Sequence, residues 1–230
     1  MGPLVPVIII TATLTLKSDT APVKVKVNKP RGTLYWGGAG LDGDYVKPQI
    51  AAFIKAGITH CFVGKANSAS VELGKAGTLV DALRAGINIR YADDTGEWTL
   101  SGMDKPAEQF NLIGYSYGSL LAAQTANYYA NNGNVIDHLV LIASPIDLDF
   151  LNSLKSNKNI KKVIVIDLKQ YGDPIYAGIS QFDLISIAKT LGEQMGRGNG
   201  EGHFYYAHVV ADSPQRWESL AKRIYSEGVR

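Results

Sequence analysis

Apolar residues recur along this chain in two rhythms, and the rhythm changes near residue 32. Before that point alternation dominates. Thr11, Thr13 and Thr15 interleave with Ala12, Leu14 and Leu16, and Val23, Val25 and Val27 with Lys24 and Lys26. A period of two is that of half-buried strands, so a β-hairpin turning near Ser18-Asp19-Thr20 is predicted. From Gly32 onward, short apolar runs exchange with segments of helical character. The runs 33–36, 58–63, 87–91, 110–115, 138–143, 162–167 and 204–209 read as strands. Helices are expected over 48–56, 71–85, 116–131, 182–195 and 214–227. Two of them stop at breakers: Gly86 ends 71–85, and Asn131-Asn132-Gly133 ends 116–131. Strands separated by helices argue for a mainly parallel central sheet with helices on both faces. The expected architecture is one α/β domain over 1–230, with the hairpin in 1–31 and the core in 32–230.

Composition narrows this little. The 230 residues are 46% hydrophobic and 19% charged with a net charge of +2, too small a charge to argue for nucleic acid as a partner. The single cysteine, Cys61, lies in an apolar run and reads as a buried small hydrophobe. The apolar stretch 5–16 has no Lys or Arg before it and is interrupted by Pro6. It resembles neither a secretory signal nor a membrane span, so a cytoplasmic location or export by a non-classical route is expected.

The most telling stretch is Gly114-Tyr115-Ser116-Tyr117-Gly118. A G-x-S-x-G pattern arises by chance in about one chain in seven of this length and composition, so the pattern alone is weak. Its surroundings are not. An apolar run precedes it and the helix former Ser119 to Ala126 follows. Strand, sharp turn with serine at the apex, and helix together make a nucleophile elbow.

A serine hydroxyl needs a base, and the base needs an orienting acid. Such sites collect at the carboxyl ends of parallel strands. Of four histidines, His60 lies among apolar neighbours within an expected strand, and His138 begins one at the opposite end. His203 follows a glycine-rich loop before the last expected strand and is the preferred base; His208, near that strand's end, is the alternative. Asp173, between Gly172 and Pro174 beyond the strand 162–167, is the preferred acid, with Asp167, Asp147 and Asp149 next. The order Ser116, Asp173, His203 is the one that accompanies an elbow serine. The oxyanion donors expected are the N–H of Tyr117 and one from Gly37-Gly38-Ala39-Gly40, either Gly38 or Ala39. No nucleotide-binding glycine pattern or Walker lysine accompanies that loop.

With Gly-Tyr-Ser-Tyr-Gly at 114–118, Gly-Asp-Pro-Ile at 172–175, Gly-His-Phe-Tyr-Tyr at 202–206 and Gly-Gly-Ala-Gly at 37–40, the chain resembles the α/β-hydrolase superfamily of serine lipases and esterases over about residues 32–228. More narrowly, the same segments resemble bacterial lipase toxins delivered by type VI secretion. The resemblance implies an α/β-hydrolase fold and hydrolysis of carboxylic esters, of lipid or phospholipid type, through an acyl-enzyme on Ser116. It implies no metal or organic cofactor. It implies peripheral membrane contact and, for an effector, an immunity protein as partner. Tyr115, Tyr176, Phe182 and Tyr205 would bind the acyl chain, and 182–202 would form a lid. Rival readings are a thioesterase, amidase or acyltransferase on the same triad, or a non-catalytic relative that binds a ligand.

Overall fold

A computed structural model describes residues 7–9, 11–12, 30–41, 43–65, 77–83, 85–92, 98–99, 103 and 107–230. In chain order these form β1 (Val7–Ile9), β2 (Thr11–Ala12), β3 (Gly32–Trp36), α1 (Val46–Ala56), β4 (Cys61–Lys65), α2 (77–83), β5 (Trp98–Thr99), β6 (Phe110–Tyr115), α3 (Tyr117–Asn131), β7 (His138–Ile142), α4 (Leu148–Ser156), β8 (Val163–Ile166), α5 (Gln181–Ser186), α6 (Ala188–Arg197) and α7 (Ser213–Ser226). The chain is α/β. Strands β4-β3-β6-β7-β8 pair in that order, all parallel, and β1 extends the sheet beside β4 in the same sense.

Every residue of β6 is buried, as expected of a central strand covered on both faces. Alternate side chains then divide between two cores. On one face Leu34, Trp36, Leu112, Leu139 and Leu141 meet α3 and α4. On the other, Tyr35, Ile113, Val140 and Ile164 meet α1 and α7. Helix α7 begins with Pro214 in its first turn and buries Trp217, Leu220 and Ile224 at helical spacing. Each such side chain contributes about 1.5–3 kcal/mol of burial. Asp147 caps α4 by accepting the N–H groups of Asp149 and Phe150. Among the described residues no helix is long and apolar enough to cross a membrane.

The chain leaves β3 to form β4 on one side, and returns to place β6 on the other. The carboxyl ends of β3 and β6 therefore flank a topological switch point, where open parallel sheets bind their ligands. The loop 37–40 and Ser116 both start there.

Several expected elements take other forms. The hairpin falls mostly outside the described residues; its described positions, Thr11 and Ala12, pair antiparallel with Thr99 and Trp98. Positions 71–76 and 84 of the helix 71–85 also lie outside them. Strand β4 starts at Cys61, because Ile58 N–H is still bonded to Phe53 at the end of α1 and His60 has φ 51°. The run 87–91 is no strand: Ala85–Ile89 is a π-helical turn, and the Ile89 and Tyr91 carbonyls accept from the Gln124 side chain instead of a strand neighbour. The run 204–209 is a 3₁₀ turn (Gly202–Phe204) followed by further turns, with Ala207 and His208 N–H both bonded to the Phe204 carbonyl. The helix expected over 182–195 is two, α5 and α6, meeting at Ile187.

Candidate active site

Ser116 separates β6 from α3 with φ 54° and ψ −122°, a backbone conformation that a residue with a Cβ adopts only under constraint. Its N–H donates to the Ile142 carbonyl of β7 at 2.8 Å, and its carbonyl accepts from Ser119 N–H at 3.0 Å. The flanking glycines are required by space. A Cβ on Gly114 would stand 2.2 Å from the Gly118 carbonyl oxygen, and one on Gly118 would stand 2.0 Å from that of Gly37. The start of α3 is thus pressed against the exit of β3, and no larger residue fits.

The three residues expected as a triad are brought together. Ser116 Oγ lies 2.7 Å from His203 Nε2, and His203 Nδ1 lies 3.0 Å from Asp173 Oδ2. Ser116 is half-buried, whereas the Asp173 side chain is fully enclosed. Asp173 follows a 3₁₀ turn (Lys169–Tyr171) that Gly172 ends at φ 85°. Its Oδ1 accepts Ile175 N–H at 2.8 Å, so its own loop holds one oxygen and leaves the other for the imidazole. With Nδ1–H donating to Asp173, the imidazole presents its Nε2 lone pair to the serine hydroxyl, the tautomer a general base requires.

His203 is also held by its backbone. Its N–H donates to Gln194 Oε1 at 3.0 Å, and its carbonyl accepts from the Tyr115 hydroxyl. Burial, with Tyr45 and Asp173 close by, pushes the Tyr115 phenol well above its ordinary range, so it stays protonated as that donor. The two loops meet once more where the Tyr171 and Tyr205 rings stack at 3.6 Å.

The alternatives are otherwise engaged. Asp167 accepts Ala177 N–H at 3.0 Å, and Asp147 caps α4, with the exposed Asp149 in that helix's first turn. His60 is exposed just before β4, in a bend rather than within a strand. His138 bonds Asn111 at 2.8 Å at the amino end of the sheet. His208 stacks on Phe204.

In the loop after β3, Gly38 N–H is already bonded to the Tyr45 hydroxyl at 2.5 Å, and Leu41 N–H closes a turn onto the Gly38 carbonyl at 2.8 Å. Ala39 follows, half-buried. Tyr117 is the first residue of α3.

The expected acyl-binding residues do not gather as one lining. Tyr115 is buried beneath His203, with its ring stacked on the imidazole and its hydroxyl bonded to the His203 carbonyl. Tyr205 is engaged by Tyr171 on one hand and by the Arg216 guanidinium on the other. Tyr176 lies under the Lys169 ammonium. Phe182 projects from α5, 80% exposed. Sequence reasoning missed Tyr45 and Gln194. A tyrosine eight residues after Gly37 and a glutamine on a polar helix carry no local signal of these contacts.

No protein-family model, curated protein or solved structure matches the chain.

Proposed function

We propose that the chain is a serine hydrolase of the α/β-hydrolase type, cleaving carboxylic esters through an acyl-enzyme. The observation that carries this reading is the unbroken run from Ser116 Oγ to His203 Nε2, and from His203 Nδ1 to the enclosed Asp173. In this scheme Ser116 attacks the ester carbonyl while His203 takes the hydroxyl proton at Nε2. The negative charge that develops on the carbonyl oxygen is met by the N–H groups of Tyr117 and Ala39. Gly38 is a poorer donor candidate, because Tyr45 already occupies its N–H. His203 then returns the proton to the departing alcohol. Water enters along the same path, His203 takes its proton, and the acyl group leaves as the acid while Ser116 regains its hydrogen. Asp173 holds the imidazole in one tautomer and stabilises its charged form.

A lipid-like acyl group is favoured by Phe182 and Ile185, exposed by 80% and 68% on α5, the helix that follows the Asp173 loop in the chain. Reaction with a fluorophosphonate tests the chemistry: one label per chain on Ser116, and none on Ser116→Ala, is the expected result. Hydrolysis that persists in Ser116→Ala refutes it. A panel of oxygen esters, thioesters and amides ranks the acyl-transfer activities open to this triad. Rates on micellar against monomeric esters then test the lipid preference.

A further inference from the structure

Helix α6 touches the rest of the molecule in an unusual way. Of its ten residues only Gln194 is buried, and its two in-helix glycines, Gly192 and Gly196, face open space. Its charged side chains Lys189, Glu193 and Arg197 pair on the surface, with Arg197 also reaching Glu201. Exposed pairs of that kind contribute little. The helix is held at the catalytic loops chiefly through one amide group.

That amide spends both of its functions on those loops. Gln194 Oε1 accepts His203 N–H at 3.0 Å, and Gln194 Nε2 donates to the Gly172 carbonyl at 2.9 Å, immediately before Asp173. An amide is the side-chain group that offers an acceptor and a donor on one carbon. Gly202, at φ 55°, makes room for it: a Cβ there would stand 2.2–2.3 Å from the Gln194 amide atoms. The base loop is therefore shaped around this side chain.

We infer that Gln194 is a positioning residue that sets the separation of His203 and Asp173 from α6, so that moving α6 loosens both loops together. The inference rests on the triad reading above. Both catalytic loops leave the body of the fold at different points, after β8 and before α7. Among the described residues, Gln194 is the side chain that hydrogen-bonds from one backbone to the other. Displacing α6, by a bound surface or by a substrate, withdraws the amide from His203 and from Gly172 in a single movement.

The test uses the full chain, a fluorophosphonate and a monomeric p-nitrophenyl ester. Gln194→Met keeps the length and removes both bonds; Gln194→Glu keeps an acceptor for His203 N–H and loses the donor to Gly172. Gly202→Ala leaves Gln194 in the sequence but pushes its amide out. Because misplacement of a catalytic group by about 1 Å costs on the order of 100-fold, Gln194→Met is expected to lower kcat and the fluorophosphonate rate about 10- to 100-fold. KM should stay within about twofold, since the amide does not touch substrate. Gln194→Glu should fall between, and Gly202→Ala should follow Gln194→Met. The downfield proton resonance of His203 Nδ1–H should weaken in the same order. The inference is overturned if Gln194→Met reacts within about twofold of the parent. It is equally overturned if activity falls only in step with Tm, with that resonance unchanged in the folded fraction. A parent chain that the fluorophosphonate does not label, with Ser116→Ala as active as the parent, removes the triad reading and this inference with it. A labelled Ser116 beside a silent Gln194→Met removes this inference alone.

Discussion

The proposed nucleophile and its proposed base are positioned by different physics. Ser116 is placed by backbone sterics: two glycines that admit no Cβ, a strand carbonyl on its N–H, and a helix starting at the next residue. All of that is local. His203 and Asp173 sit on irregular loops, held by side chains from elsewhere: Tyr115 on the carbonyl of His203, Gln194 across both loops, and Tyr171 stacked on Tyr205. A turn fixed by excluded volume tolerates no substitution at its glycines. A pair of loops fixed by hydrogen bonds and ring contacts degrades by degrees. The nucleophile side should therefore fail abruptly and the base side gradually.

The largest expected effect cuts the nucleophile out. Ser116→Ala should lower kcat by about 10⁴–10⁶-fold on any ester the parent hydrolyses, with Tm unchanged or raised. Asp173→Asn should cost about 10⁴-fold, because an amide can present its N–H to Nδ1 and reverse the tautomer. A loss no greater than that of Gln194→Met would erase the distinction between a residue in the proton path and one that merely sets spacing.

Stability draws the same contrast. Gly118→Ala drives a methyl group onto the Gly37 carbonyl and should cost about 3 kcal/mol, read as the shift in urea midpoint at constant slope. Tyr45→Phe strands Gly38 N–H without its acceptor; about 1–3 kcal/mol of stability should go. The reaction rate should fall about 10-fold as the neighbouring Ala39 amide loses its aim, a fraction of what deleting an oxyanion donor costs.

The smallest effect comes from two histidines outside the proposed triad. Burial lowers the ordinary titration of His138, and Lys162, Lys161 and Arg230 add to this against the opposing Asp137. Burial also lowers that of His208. The unfolded chain then binds protons that the folded chain refuses. Stability should decline as pH falls below roughly 6.5, down to the lowered folded values, and level off beneath them. Thermal unfolding between pH 7.5 and 5 measures this, and His138→Gln with His208→Gln should flatten the profile.

Much of the arrangement is legible in the sequence where its cause is local. The elbow announces itself because sterics, strand and helix all act within a dozen residues. Asp173 and His203 follow from strand order and from the shortage of other histidines. What sequence misses is set by distant contacts. Phe204 to Val209 has the aromatic, β-branched composition of a strand. Yet Tyr205 stacks on Tyr171 and lies under Arg216 of α7, Phe204 meets the His203 ring edge-on, and the Tyr206 carbonyl accepts from the Trp217 indole, while Gly202 turns the backbone. The run 87–91 looks like a strand until Gln124, on another helix, takes the carbonyls of Ile89 and Tyr91. Tyr115 looks like a substrate contact from its place beside Ser116, but it faces inward because successive residues of β6 point to opposite faces. Gln194 stands nine residues from His203 and 22 from Gly172, and no periodicity links them.

The torsion angles of Ser116 also bear on how this chain responds to selection. At φ 54° and ψ −122° a glycine is at ease and a serine is not, a difference of about 1–3 kcal/mol. A library screened for heat resistance alone, blind to chemistry, should enrich Ser116→Gly. One screened for turnover should never yield it. The position at which those two screens disagree most sharply is where the fold gives up durability to keep a serine at the turn.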